Sequence, residues 1–295
     1  MSRERTISYG ITEDYVTIKH FLRSRRYPRK LRAQLKENPA QVLLNDTPQP
    51  LWKPLLKGDK LTITIFEDQE PSLQLRPVVK ALAIVYEDED ILVVDKPAGM
   101  SIHPSFNHYE DSLANVVLGY YMEKGEEIVF RCVNRLDRET SGPTIIAKNR
   151  LASAILSVDV KERRIQREYR AVVKGSLPID GTWHVINVPI GRIPGSAIMR
   201  QTDPMNGKPA VTRYQALDHN DKYSYIKLRL ETGRTHQIRV HMNHIGHPLP
   251  GDYLYHPDFS DFSRVPLHSH LLEFIHPVTG ETLLLKSPVP ADMLL

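Results

Sequence analysis

An α+β fold with a mostly antiparallel sheet is expected for this 295-residue sequence, on three grounds. Short apolar runs with strand character outnumber helical ones, and few adjacent strand–helix pairs repeat as they would in a parallel α/β protein. Ile84–Tyr86 and Ile91–Val94 flank the turn Glu87-Asp88-Glu89-Asp90 as a hairpin would. Hydrophobic residues make up 41% of the chain and charged residues 25%, which supplies a sizeable core and excludes a disordered or fibrous protein. At about 150 residues per domain, two domains are expected.

The first is predicted over residues 1–76. Ile18 and Leu22, then Leu31 and Leu35, are spaced for short helices. Val42-Leu43-Leu44 reads as a strand entering an Asn45-Asp46 turn, and Leu61–Ile65 alternates as a second strand. Residues 67–80 carry Pro71 and Pro77 with little pattern, and 77–80 are read as the linker. The second domain, 81–295, is expected to be strand-rich. Thr144–Ala147 is a short apolar strand, and Asn149 is placed to cap a helix through Leu151, Ile155 and Val158. Tyr169, Ala171 and Val173 alternate in one strand, and Ile226, Leu228 and Leu230 in another. Thr235 is expected to cap a short helix bearing Ile238, Met242 and Ile245, stopped by Gly246.

Charge is uneven. The net charge is +4, yet residues 1–37 hold ten Lys/Arg against four Asp/Glu, and no acid lies between Lys19 and Lys36. A solvated helix face is the ordinary fate of such a run. Like charges this dense, Arg29 and Lys30 among them, instead favour a polyanion, so phosphate binding is the reading adopted.

Several chemistries lack their residues. One cysteine, Cys132, excludes an internal disulfide and any zinc site needing two thiolates. There is no G-x-G-x-x-G and no G-x-S-x-G, and Gly207-Lys208 is followed by Pro209 where a phosphate loop needs Ser or Thr. His241, His244 and His247 lack convergent further ligands, so no metal is expected. No apolar run is long enough to span a bilayer, and the charged start Met1-Ser-Arg-Glu-Arg has no signal-peptide core, so a cytoplasmic protein without membrane contact is expected.

The informative segment is Asn134-Arg-Leu-Asp-Arg-Glu-Thr-Ser-Gly142, which puts Asp137 among arginines on a loop before a strand. It resembles the R-L-D-x-x-T-S-G signature of the RluA-type pseudouridine synthases. Further blocks agree in order: Ile91–Gly99 with His103-Pro104, Arg167–Gly175, Thr232–His241 continuing to Gly251-Asp252, and Leu267-His268-Ser269. The resemblance covers about residues 81–290. Two positions depart from the pattern, Asn134 where His is common and Pro143 where an aliphatic residue is usual. Val42–Asp46 through Lys57–Leu61 is similar to part of a small S-four-like RNA-binding module, whose front half diverges at Pro28-Arg29-Lys30.

The resemblance implies an isomerase that turns uridine into pseudouridine within RNA, with no cofactor and no metal. It implies that Asp137 acts at the sugar, where breaking a glycosidic bond develops positive charge. Arg239 would pair with that aspartate and lower its pKa. Tyr169 would pack on the uracil and take the C5 proton, and Leu267 would line the base pocket. A target base must leave its stack, so Arg135 would fill the vacated space. Arg234 and Arg164, with Lys161, Arg163 and Arg167, would hold the RNA backbone. Ribosomal RNA is the expected partner and transfer RNA the runner-up, for a chain acting as a monomer. The competing reading is a non-catalytic RNA-binding or ribosome-assembly factor.

Overall fold

The computed structural model describes residues 4–67, 75–105 and 109–294. The chain begins with a strand that the sequence pattern does not announce, β1 (Glu4–Gly10). Its apolar face is only Ile7 and Tyr9, and its partner is β4 (Lys60–Phe66), more than fifty residues on. Between them lie α1 (Ile18–Ser24), α2 (Arg29–Glu37), β2 (Val42–Leu44) and β3 (Thr47–Pro48), giving a four-stranded sheet in the order β1-β4-β2-β3. Asn45 and Asp46 both take positive φ, 49° and 64°, as the tight hairpin between β2 and β3 demands. Thr17 caps α1 by accepting the His20 N–H.

This sheet does not pack alone. Its core of Ile18, Leu22, Leu35, Leu61 and Ile63 takes in Leu151, Ile155 and Val278 from the rest of the chain. Arg5 forks onto Asp90 at 2.8 and 2.9 Å. Arg26 pairs with the buried Asp159 and donates to the His276 carbonyl at 2.9 Å. Part of the basic run is thus consumed in packing.

Residues 77–80 run along a helix. Val78 N–H donates to Asn115 O, and Asn115 Nδ2 donates to Arg76 O at 2.7 Å. Following the strands β5 (Ile84–Glu87) and β6 (Ile91–Lys96), that helix is α3 (Leu113–Glu123), capped by Ser112 and buried on most sides.

Next come β7 (Gly142–Ala147), α4 (Arg150–Lys161) and β8 (Gln166–Lys174). They are followed by β9 (His184–Asn187), β10 (Ile190–Arg192), β11 (Arg200–Thr202), β12 (Val211–His219) and β13 (Tyr223–Leu230). The chain finishes with α5 (Gln237–His244), β14 (Leu267–Ile275) and β15 (Thr282–Lys286). Six strands form an antiparallel sheet in the order β15-β14-β8-β13-β12-β9. Three more form β5-β6-β7, with the expected hairpin, and β10-β11 is a separate hairpin. The α5 side chains Ile238 and Met242 pack with Ala171, Ile226, Leu228 and Leu267. Asn149 caps α4 as its side chain predicts.

Thr235 does not cap α5. The preceding residue is His236, at φ 58°, with no side-chain cap. The turn is held instead by Gln237, whose Oε1 accepts from Thr232 Oγ1 and Arg234 N while its Nε2 donates to Val211 O and Thr212 Oγ1.

The six-stranded and three-stranded sheets meet at one seam. Ser141 N donates to Leu267 O at 3.3 Å, and Ser269 N donates to Ser141 O at 2.8 Å. Gly142 follows at φ +122°, where a Cβ would lie 2.2 Å from Ser269 O. The two departures noted above are joined here. Asn134 Nδ2 donates to the Pro143 carbonyl at 3.1 Å and its Oδ1 accepts the Ile145 N–H at 2.7 Å, so the side-chain amide satisfies the strand edge beside the proline.

Gly142→Ala is expected to lower unfolding stability by at least about 3 kcal/mol, because it combines a forbidden φ with a backbone clash. Urea denaturation followed by circular dichroism measures it, and an unchanged midpoint would contradict the seam's geometry.

Candidate active site

The loop 134–141 opens into a cavity of about 1170 Å³ between the sheets, lined also by Tyr169, His236, Arg239, Tyr253 and Leu267. Backbone bonds fix the loop. Thr140 N donates to Asp137 O at 3.1 Å, closing a turn, and Ser141 Oγ is 2.9 Å from His268 Nδ1. The fully buried Lys96 donates from Nζ to three carbonyls, Pro97, Met100 and Arg138, at 2.9, 2.8 and 3.1 Å. Burial pushes the Lys96 ammonium down to about 8, against the pull of Asp137 and Glu139. Arg138 is tied again through Nε to Gly99 O. Asp137 is therefore flanked by pinned backbone, whereas its half-buried carboxylate accepts no hydrogen bond among the described residues. A carboxylate so placed keeps its lone pairs for a ligand.

Tyr169 and Leu267, 4% and 3% exposed, lie in the adjacent strands β8 and β14 and form one wall. The Tyr169 hydroxyl makes no hydrogen bond among the described residues.

Arg239 corrects an expectation. Its fork is taken by Asp252, with Nε to Oδ2 at 2.7 Å and Nη2 to Oδ1 at 2.6 Å, both side chains 2% exposed. No ion pair joins it to Asp137 among the described residues. Asp137 acts on the guanidinium only at longer range. Burial opposes the Arg239 charge, and the Asp252 bonds and charge more than offset that, so its pKa is raised. The guanidinium also lies 5.5 and 5.1 Å from the rings of Tyr253 and Tyr255. Asp252 Oδ1 further accepts the Leu254 and Tyr255 N–H groups, so this pair holds the loop after Gly251.

The mouth is basic. Arg135 is exposed there, Arg163, Arg167, Arg213 and Arg229 line it, and Arg234 is held by an Nε bond to Pro209 O at 3.0 Å. Arg164 is not at the mouth. It pairs with Asp159 at 2.8 Å and with Glu162, and so braces the region that Arg26 also grips. Arg29 and Lys30 are exposed on α2, outside the cavity lining. The histidines serve separate structural bonds: His241 to Thr212 Oγ1 and Val188 O, His244 to Thr202 Oγ1, and His247 to Lys174 O.

Sequence reasoning missed Lys96, His236, Asp252 and Tyr255. The first three lie inside blocks already singled out, where a buried partner was the missing signal. Tyr255 gave none, since its neighbours come together only through the fold.

Comparison with known proteins gives the family. Residues 90–244 match the family described as RNA pseudouridylate synthase. An uncharacterized RNA pseudouridine synthase of Bacillus subtilis, YjbO, is 39% identical over 280 residues, covering 94% of this chain and 97% of the relative. The ribosomal large subunit pseudouridine synthase D of Neisseria meningitidis serogroup A is 38% identical over 264 residues, covering 85% and 70%. Among solved structures, human RNA pseudouridylate synthase domain containing 1 aligns with a TM-score of 0.59 at 29% identity, covering 75% of this chain and 86% of that one.

Asp252→Ala would leave the Arg239 charge buried without its partner. A loss of about 3–5 kcal/mol is expected, read as a lower urea midpoint. A change below about 1 kcal/mol would show that the pair does not organise this loop.

Proposed function

The chain belongs to the RNA pseudouridylate synthase family and is an isomerase that turns uridine into pseudouridine in RNA, and on that premise we propose that Asp137 is the group acting at the sugar. The observation that carries this is a carboxylate with no hydrogen-bond partner among the described residues, on a pinned loop inside a basic-mouthed cavity. The reaction conserves atoms. The C1′–N1 bond breaks with its electron pair kept on the base, the base turns, C5 joins C1′, C5 loses a proton and N1 gains one.

The other residues take roles by position. Tyr169 and Leu267 pack against the base, and the Tyr169 hydroxyl relays the C5 proton, its oxygen accepting that proton as its own hydroxyl proton passes to solvent. Arg135 fills the gap left by the flipped nucleotide, and Arg234 holds a phosphate at the mouth. Arg239 acts through Asp252, as a positioning residue.

RNA of the large ribosomal subunit is the proposed substrate. Its support is the printed name of relatives such as the Neisseria enzyme, together with the basic face of α1 and α2. There the Arg32 guanidinium is pushed below its ordinary range, by burial first and then by Arg23 and Arg29. Such crowding is relieved by phosphate. On this reading residues 1–76 form an S-four-like RNA-binding unit, 77–80 the connection and 81–295 the catalytic unit of a cytoplasmic monomer. No helix among the described residues is long and apolar enough to cross a membrane.

Tritium release from RNA carrying 5-tritiated uridine tests the catalytic assignment. Wild type is expected to release tritium, Asp137→Asn none above background, and Tyr169→Phe to be slowed at least about 10²-fold. Release by Asp137→Asn at the wild-type rate would overturn it, and RNA binding without release by wild type would favour an assembly factor. The basic face is tested by Arg29→Glu/Lys30→Glu. RNA affinity should fall, and the slope of log K against log salt should flatten by about 2, roughly one for each phosphate no longer engaged. An unchanged slope would remove α2 from the interface.

A further inference from the structure

His236 is the one non-glycine residue of the cavity wall with a left-handed backbone besides Arg163 at the mouth among the described residues, at φ 58°. Such conformations are costly outside glycine and collect where a side chain is needed in one place. Its Nδ1 is 2.9 Å from Tyr255 Oη. That phenol oxygen already accepts the Arg200 N–H, also at 2.9 Å, from β11. Among the described residues the phenol proton has one acceptor within reach, His236 Nδ1, which leaves the imidazole proton on Nε2. Nε2 has no partner among the described residues, although the residue is only 9% exposed. Burial keeps the imidazole pKa below its ordinary value, and Asp137 and Asp252 oppose that shift while Arg239 and Arg200 assist it. His236 lines the same cavity as Asp137, Tyr169 and Leu267, so its free N–H shares the wall of the site where the base would lie.

Resting on the isomerase reading above, we propose that His236 Nε2–H donates a hydrogen bond to a carbonyl oxygen of the departing uracil, and that Tyr255 is the positioning residue that fixes this tautomer. When the C1′–N1 bond breaks, its electron pair spreads from N1 onto the uracil oxygens. A donor waiting there stabilises the transition state more than the bound uridine, which raises the chemical rate without tightening binding. The β10–β11 hairpin enters the same relay through Arg200 N–H, so the position of that hairpin sets the donor.

Single-turnover tritium release with excess protein, beside filter-binding affinity for the same RNA, separates rate from binding. His236→Ala is expected to slow release about 10²-fold with Kd within about twofold of wild type. Tyr255→Phe, which keeps the ring over Arg239, is expected to slow it about tenfold, and the double variant should match His236→Ala alone. An unchanged rate in His236→Ala, a defect confined to Kd as a phosphate ligand would give, or multiplying effects in the double variant would overturn the proposal. Should His236→Ala not fold, Tyr255→Phe decides: a tenfold slower rate at unchanged Kd and melting temperature supports it, and a wild-type rate overturns it. Absence of release by wild type would strike the isomerase reading itself, and His236 could then not be credited with any part in a reaction on uracil.

Discussion

A carboxylate that must stay free for a ligand cannot be positioned by its own side-chain bonds, and that constraint shapes this fold. Asp137 is held only through its neighbours. The seam between the sheets fixes Ser141 and Gly142 on one side, and the buried ammonium of Lys96 gathers the carbonyls of Pro97, Met100 and Arg138 around the other. The cost is visible in the backbone, where Gly142 takes a φ that only glycine adopts readily. It is visible too in Lys96, whose charge is disfavoured by burial and kept useful by three acceptors.

The same constraint explains the partner of Arg239. A fork onto Asp137 would have occupied both carboxylate oxygens and left the aspartate well stabilised but chemically engaged. Asp252 takes the fork instead, and Asp137 receives only the longer-range field of two buried cations, Arg239 and Lys96. That arrangement leaves both Asp137 oxygens open to a ligand. Asp252 spends its remaining capacity on the Leu254 and Tyr255 N–H groups, so the pair that neutralises Arg239 also places the ring holding His236.

Local pattern made much of this legible. The cap at Asn149 and the turn at Asn45-Asp46 are written in one or two side chains with local partners, and the hairpin at 87–90 joins neighbouring strands. The candidate residues Asp137, Tyr169, Leu267, Arg135 and Arg234 all line one cavity, as their shared motif blocks lead one to expect. What was not legible depends on distant partners. Strand β1 has two inward apolar residues, too few for a period, and is specified by its sheet neighbour β4, the last of the four strands along the chain. The start of α5 reads as a Thr cap locally, yet the long Gln237 amide reaches β12 and makes that cap unnecessary. Arg164 reads as a basic residue facing RNA, and Asp159, which the sequence hides on a helix, claims it.

Asp159 also bears on how the two ends of the molecule work together. It receives Arg26 from the first sheet's side and Arg164 from the second's, while Leu151 and Ile155 of the same helix enter the first sheet's core. Buried pairs that share one carboxylate resist separation, because parting them would strand a charge out of water. The basic run therefore divides by duty. Arg26, just ahead of α2, is turned inward onto Asp159 and the His276 carbonyl, and Arg25 donates to Thr279 O at the surface. Arg29 and Lys30 remain outside, carried on a helix whose place relative to the cavity is set by that inward pair. The spacing between these outer cations and the cavity is therefore preset by buried contacts and not by a loose connection.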